Sequence, residues 1–586
     1  MARHSWIAIA VLFLGGSGPG LGQDVTQPQP EPKAPSLWCK HTILVYISPS
    51  GRGLEFWTPE NFEWLIAYRD AHGKQQGLFF DGFLFLGFGC KEGRHLLGVS
   101  SRKPAIASDW DDALGNYLKG VGVLSDTFGP IARGLGKPEA RAKVILSLPY
   151  PDPRQHLFEL PGTGGLDFRI KEHREQAVVW YVDEALRRWR VARDQGLLAH
   201  VELVGFYWGH EGLARDDGDV VKTVSEHIHL RKRLLHWIPS FGSGAVDWGA
   251  LGLDCLTQQI NYQNPQRPGR PLEIFRDMSD LVVEHGLHGV ELTPTARETR
   301  LNPRIWCWHQ VFLANLDAAL RLGWRDYSAF TYFHGNDIPK IAGDPRSHVF
   351  YEKLFRWTQG TLCGSDVEEL ASVVIKELQH REHISAQTAA HIDSAPTVLE
   401  KLRRMEEPKL AVLARELAER LAMYEDQSGN LLPDASFEAG RGDWPTCSRR
   451  VARCDDMART GASSLRLSMG RDSGGNMIRE SAKSRRVAVK PGQMVRFSAF
   501  ARIPERLQRT TRGLMIGLAR YRGGKMSVAW TDCEAHSVGP TDSWTRLVVY
   551  LYVDETPCDE VMAIIGLCGG GTVYLDDAEL VILERR

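Results

Sequence analysis

Two glutamates stand where a pair of carboxyl groups could cleave a glycosidic bond. Glu211 follows the run Val201-Glu202-Leu203-Val204-Gly205-Phe206-Tyr207-Trp208-Gly209-His210, and Glu291 lies inside His288-Gly289-Val290-Glu291-Leu292-Thr293, which Pro294 closes. Glycoside hydrolysis needs one carboxyl kept protonated, to give its proton to the leaving oxygen, and a second that attacks carbon or activates water. Glu211 is assigned the acid/base role and Glu291 that of nucleophile or base. In a strand, alternate residues share a face, so Glu291 goes with Gly289 and Thr293. A carboxylate on an interior face is costly unless it is hydrogen-bonded or working.

Aromatic and polar residues recur at the ends of the same runs. Tyr207, Trp208 and His210 flank Glu211, and Trp237 opens Trp237-Ile238-Pro239-Ser240-Phe241. Asn261 and Tyr262 end a sixth run, and Tyr332, His334 and Asp337 end an eighth. Rings beside amides and carboxylates suit a polyol, offering a platform to the apolar sugar face and partners to the hydroxyls. These nine residues are the expected substrate contacts. Other signals carry less. His227 and His229 lie two apart in a helical pattern and cannot share a face. His380 and His383 sit in a charged helical pattern, and Asp81 precedes a run and reads as structural. Neither a nucleophile elbow nor an HExxH motif is present, so ester or peptide hydrolysis has no motif behind it.

The elements that must position these groups alternate along the chain. Eight β-rich runs span 41–48, 82–89, 142–149, 201–208, 234–241, 254–262, 288–293 and 328–334. Amphipathic segments at 61–72, 109–124, 172–195, 219–233, 272–285 and 305–322 separate most of them, with Val178, Val182, Ala185, Leu186 and Trp189 at helical spacing in the third. Parallel strands need such crossovers, and the pattern predicts an α/β TIM barrel, (β/α)8, over 38–362 as the catalytic domain. No glycine-rich dinucleotide fingerprint follows any run, which argues against an open doubly wound sheet. Helical patterns over 363–428 form an extension. Short alternating runs with Gly-rich turns over 429–586 predict an all-β jelly-roll sandwich.

Composition narrows the class. The chain has 586 residues, 71 Lys+Arg against 72 Asp+Glu and 43% hydrophobic residues, as expected for a multidomain globular protein. A net charge of -1 gives no electrostatic footprint for nucleic acid. Arg3 and His4 precede an apolar run, Trp6–Leu14, and small residues continue through Gly22. This reads as a signal peptide over 1–22, followed by a Pro-rich linker at 23–37, and predicts a secreted, periplasmic or cell-surface protein. No later run is long enough to span a bilayer. Of ten cysteines, Cys447 and Cys454 are expected to form a short bridge, and the others cannot be paired from sequence. The oligomeric state is not legible.

The segments "GFYWGHE", "WIPSF", "QINYQN" and "GVELT" resemble an uncharacterised family of bacterial secreted barrel proteins regarded as glycosidase-like, over about residues 40–360. Compared with the large clan of retaining barrel glycosidases, His210-Glu211 stands where Asn-Glu is usual. The tail segments "NLLPDASFEAG", "TGASSLRL", "VAVKPGQMVRFSAFAR" and "GTVYLDDAEL" look like the jelly-roll carbohydrate-binding modules of xylanases and glucanases. That resemblance implies a structural calcium held in part by Glu438 and Asp577, and no cofactor for catalysis. Together these imply a secreted glycoside hydrolase acting on a polysaccharide or oligosaccharide. The alternative is a noncatalytic carbohydrate-binding or cell-surface protein with an inactive barrel.

Overall fold

Runs of Val, Ile, Leu and Phe without a polar face are what a strand buried on both sides requires, and here they form a closed ring. The computed structural model describes residues 38–586 apart from 99–102, 161–163, 214–215, 241–246, 263–271, 295–307, 334, 381–383, 433, 439–443, 445, 448–450, 470–479, 506, 529–534, 538–540, 542 and 554–557. The expected signal peptide and linker lie outside the described residues. The eight barrel strands are β1 (His41–Tyr46), β2 (Gly82–Leu86), β3 (Ala142–Leu148), β4 (Val201–Trp208), β5 (Leu234–Trp237), β6 (Cys255–Gln259), β7 (Gly289–Leu292) and β8 (Ala329–Tyr332). They close in sequence order, each parallel to its neighbours, with β8 returning to β1.

Alternation divides each strand between two cores. Val45, Phe85, Leu146, Phe206, Leu235, Val290 and Phe330 face outward and join the helices in the larger core. Leu44, Leu84, Ile145, Tyr207, Ile238, Cys255 and Ala329 fill the interior. The main crossover helices are α1 (Pro59–Ile66), α2 (Ala107–Gly134), α3 (Lys171–Asp194), α4 (Asp217–Leu230), α5 (Glu273–Glu284) and α6 (Trp308–Arg321).

The expected fold class needs correction. The strands close as a parallel eight-stranded barrel, but the helices do not form the regular one-per-strand ring of a (β/α)8 fold. The chain passes from β5 to β6 through a turn at 248–252, with no helix among the described residues. Hairpins at Ala67–Arg69 with Gln75–Leu78, and Phe158–Leu160 with Gly164–Leu166, interrupt two other crossovers. β8 is followed by two helices, α7 (Ile338–Gly343) and α8 (His348–Thr358). The tail is antiparallel β structure, as expected, though its strands are not uniformly short. Its antiparallel strands organise around one long strand, Glu560–Arg585, which pairs with Ser464–Met469, Glu480–Ala488, Met494–Arg502 and Gln508–Arg522.

Between barrel and tail come α9 (Gly364–His380), α10 (Ala386–Asp393) and α11 (Val398–Leu421). Their Leu370, Val374, Ile392 and Leu402 belong to the same core as the barrel's outer face, whereas the tail has its own core around Trp444, Phe497, Ile565 and Leu575. The expected Cys447–Cys454 bridge does not form. Cys454 is a free thiol, 3.4 Å from an Asp456 carboxylate oxygen. Among the described residues no helix is long and apolar enough to cross a membrane.

Candidate active site

Glu291 reaches the barrel interior because its neighbours do not. Val290 and Leu292 pack outward, so the residue between them points in, as the alternation predicts. It sits level with Gln259 on β6 and Thr331 on β8, and is 5% exposed. Two residues earlier on β7, Gly289 allows the strands to close, since a Cβ there would lie 1.8 Å from the Ala329 carbonyl oxygen.

Glu211 is placed by the turn that follows β4. Gly209 lies tight against β3, where a Cβ would approach the Leu148 carbonyl oxygen and Ser147 Oγ to 3.0 Å. Beyond it, Trp237 Nε1 donates to the His210 carbonyl at 2.9 Å and Ser240 N–H donates to the Glu211 carbonyl at 3.0 Å. These two bonds fasten the end of β4 to the end of β5. The Glu211 side chain is exposed to solvent, yet protein crowds its carboxyl closely enough that lost hydration dominates its titration.

Burial and mutual repulsion separate the two carboxyls. Burial pushes Glu291 well above the usual carboxylate range, and the negative charge of Glu211 pushes it further. Burial also raises Glu211, but a hydrogen bond from Gln259 and the charge of His210 oppose the rise. Tyr207, on the interior face of β4, feels both groups, its phenol held well above its ordinary value by burial, then by Glu211, then by Glu291. Two carboxyls that repel each other in such surroundings do not ionise together: the pair gives up its first proton readily and holds the last to higher pH, which is the condition for dividing acid and base roles. Also in the barrel interior, His236 Nε2 lies 3.1 Å from Thr257 Oγ1, which lies 2.9 Å from Thr331 Oγ1. Burial drives His236 down to about 3, with the charge of His288 adding to the effect, so this layer is neutral.

The expected substrate contacts separate into groups. Tyr207 and His210 stand beside the pair, and Asn261, half-buried, supports it at one remove. Asn261 Nδ2 donates to Gln259 Oε1 at 2.8 Å, and the Gln259 amide nitrogen donates to the Ile238 carbonyl at 3.5 Å while also acting to lower the Glu211 carboxyl. Asn261 does so with a left-handed backbone, φ 55°, a conformation that Asn tolerates better than most residues. Trp208, Trp237 and Tyr332 face the helices instead, each at most 1% exposed. Tyr332 meets His41 Nδ1 at 2.6 Å, and Tyr262 donates to Glu406 of α11 at 2.8 Å. Asp337 is fully buried and ion-paired with Lys340 at 3.2 Å. His334 lies outside the described residues.

Two supporting residues escaped the sequence reading. Gln259 stands two positions before Asn261 on the inward face, and that parity was the available signal. Tyr150 stacks on His210 with ring centroids 4.1 Å apart and donates to Asp217 at 3.1 Å, while Arg174 Nη1 donates to Asp217 at 2.8 Å. No spacing in the sequence connects Tyr150 with His210, because they come from different crossovers.

The residues expected to hold calcium do not fit it as placed. Asp577 is engaged by the Arg459 guanidinium and the Thr460 hydroxyl. One Glu438 oxygen accepts from the Ala462 and Ser463 N–H groups at 2.8 and 3.0 Å. A guanidinium occupying the acidic group opposes a cation there, and among the described residues no cluster of three potential ligands could hold a metal ion.

By structure the chain is similar to "Family 16 Carbohydrate Binding Module-2" at 15% identity, over 26% of this chain and 99% of that one, with a TM-score of 0.21. It is also similar to the CBM22-1 xylan-binding domain from Paenibacillus barcinonensis Xyn10C, at 14% identity, over 28% and 97% of the two chains, TM-score 0.21. A third is TmCBM61 in complex with β-1,4-galactotriose, at 16% identity, over 27% and 100%, TM-score 0.19. No curated protein matches the chain. Residues 41–356 match the family model described as "Domain of unknown function (DUF4855)". The match takes in all eight barrel strands with both glutamates and covers more than half of the chain, which therefore belongs to the DUF4855 family.

Proposed function

We propose that the protein is an exported glycoside hydrolase whose barrel cleaves a polysaccharide or oligosaccharide with Glu211 and Glu291. The observation that carries this reading is the mutual electrostatic influence of Glu291, buried on the inward face of β7, and Glu211, three residues past β4, both of which also act on Tyr207. Export rests on the apolar run Trp6–Leu14 and the small residues after it.

The order of proton loss favours particular roles. Glu291 keeps its proton to the higher pH and is the proton donor. Glu211, raised by burial but less than Glu291 because Gln259 and His210 oppose the rise, is the nucleophile or base. These roles are the reverse of those read from strand position. Aryl glycosides with a good leaving group test the assignment, because they need no acid. On a panel of dinitrophenyl glycosides, Glu291→Gln retains cleavage that it loses on unactivated sugars, whereas Glu211→Gln loses both. The opposite pattern returns the roles to their sequence-based form, and failure of the wild type on every substrate contradicts the reading.

A further inference from the structure

The aromatic residues best placed to meet a ligand at this opening are not those the strand-end pattern singled out. Tyr46 at the end of β1, Phe88 just past β2 and Phe333 just past β8 come from three neighbouring strands. Tyr46 lies on the inward parity with Leu44, and Phe333 with Thr331, whose partner in register is Glu291. The ring centroids of Tyr46 and Phe88 are 5.6 Å apart, and those of Tyr46 and Phe333 are 6.0 Å apart. His95 stacks on Phe88 at 5.7 Å with an interplanar angle of 16°. All four rings pack to some extent on protein but remain partly exposed, and the three hydrophobic ones lie against the interior core. They contrast with Trp208, Trp237 and Tyr332, which are completely enclosed.

We infer that Tyr46, Phe88 and Phe333, backed by His95, form a platform for a pyranose ring along the β8-β1-β2 side of the mouth. The inference rests on the glycosidase reading and specifies which wall of the cleft receives the sugar. Its occupant follows from what the wall adjoins. Beside the acid pair an apolar face is useful for a molecule with an apolar ring surface and a polar, cleavable edge, and a pyranose has both. The wall continues from β8, whose neighbour β7 carries Glu291, so a ring seated on Phe333 lies on the side of the mouth nearest that carboxyl.

Hydrogen–deuterium exchange on the full chain, with and without xylohexaose, cellohexaose, mannohexaose or galactotriose, localises the contact. The inference expects at least one sugar to slow exchange in peptides spanning 46–52, 88–96 and 329–333. Phe88→Ala and Phe333→Ala weaken that sugar's effect by about tenfold in concentration, and Phe88→Trp restores it. An unchanged exchange pattern in the sugar-free variants, outside the substituted peptide, verifies their fold. Protection confined to the β4 and β6 ends overturns the platform and leaves the glycosidase reading standing. Protection absent from the barrel with every sugar, together with no cleavage of those sugars, overturns both.

Discussion

Gln259 is where the division of labour between the carboxyls is decided. Its oxygen accepts from Asn261, its amide nitrogen donates to the Ile238 carbonyl, and it opposes the burial-driven rise of Glu211. Gln259→Leu removes the donor that favours ionised Glu211, so the ascending limb of the pH–rate profile moves to higher pH while the descending limb, set by Glu291, stays. An unmoved ascending limb contradicts the assignment. Glu291 also leaves a mark on stability. Its pKa is raised in the folded state by burial and by Glu211. A carboxyl raised on folding contributes fully below its ordinary value, and that contribution is lost as pH rises towards the folded value. Thermal melts of Glu291→Gln against wild type therefore show little difference near pH 4 and a growing advantage for the variant towards pH 8. A constant difference across that range contradicts the buried titration.

At the scale of elements, strand parity decides which side chains can act. Trp237 faces the helices, but its Nε1 bond to the His210 carbonyl also holds the turn that carries Glu211. Trp237→Ala is expected to cost about 3–5 kcal/mol in chemical denaturation, and Trp237→Phe only about 1 kcal/mol for the lost hydrogen bond. Equal losses in the two variants contradict this separation of packing from bonding. All eight strands were legible from their apolar runs, and the inward aim of Glu291 was legible from alternation. The aromatic contacts were misread because each strand end was treated as one surface, although successive residues there face opposite cores. Tyr332 follows Thr331, the register partner of Glu291, and must face away from the cleft. On β4 the register shift between Leu203 and Gly205 changes the parity, and nothing in the sequence announces it.

For the whole molecule, the boundaries between cores matter more than those between segments. The helices α9–α11 were expected as an extension, and their apolar faces are continuous with the barrel's outer core. The tail keeps a separate core. Calorimetry is therefore expected to show two transitions. Leu370→Ala lowers the one belonging to the barrel and Leu575→Ala the one belonging to the tail, each by about 2–5 kcal/mol. A single transition that both variants shift alike contradicts two independent cores. The mixed helix–hairpin pattern of the crossovers was not legible, because short pairs such as 158–160 with 164–166 have too few residues to show a period.

The central claim is that Glu211 and Glu291 together cleave glycosidic bonds. Reducing-sugar release from a broad polysaccharide panel, by wild type, Glu211→Gln and Glu291→Gln with matched circular dichroism, tests it most directly. The account predicts release by wild type and a fall of roughly 10²–10⁴-fold or more on the same polysaccharide in each folded variant. Release that either variant sustains at the wild-type rate, or silence from the wild type across the panel, contradicts it.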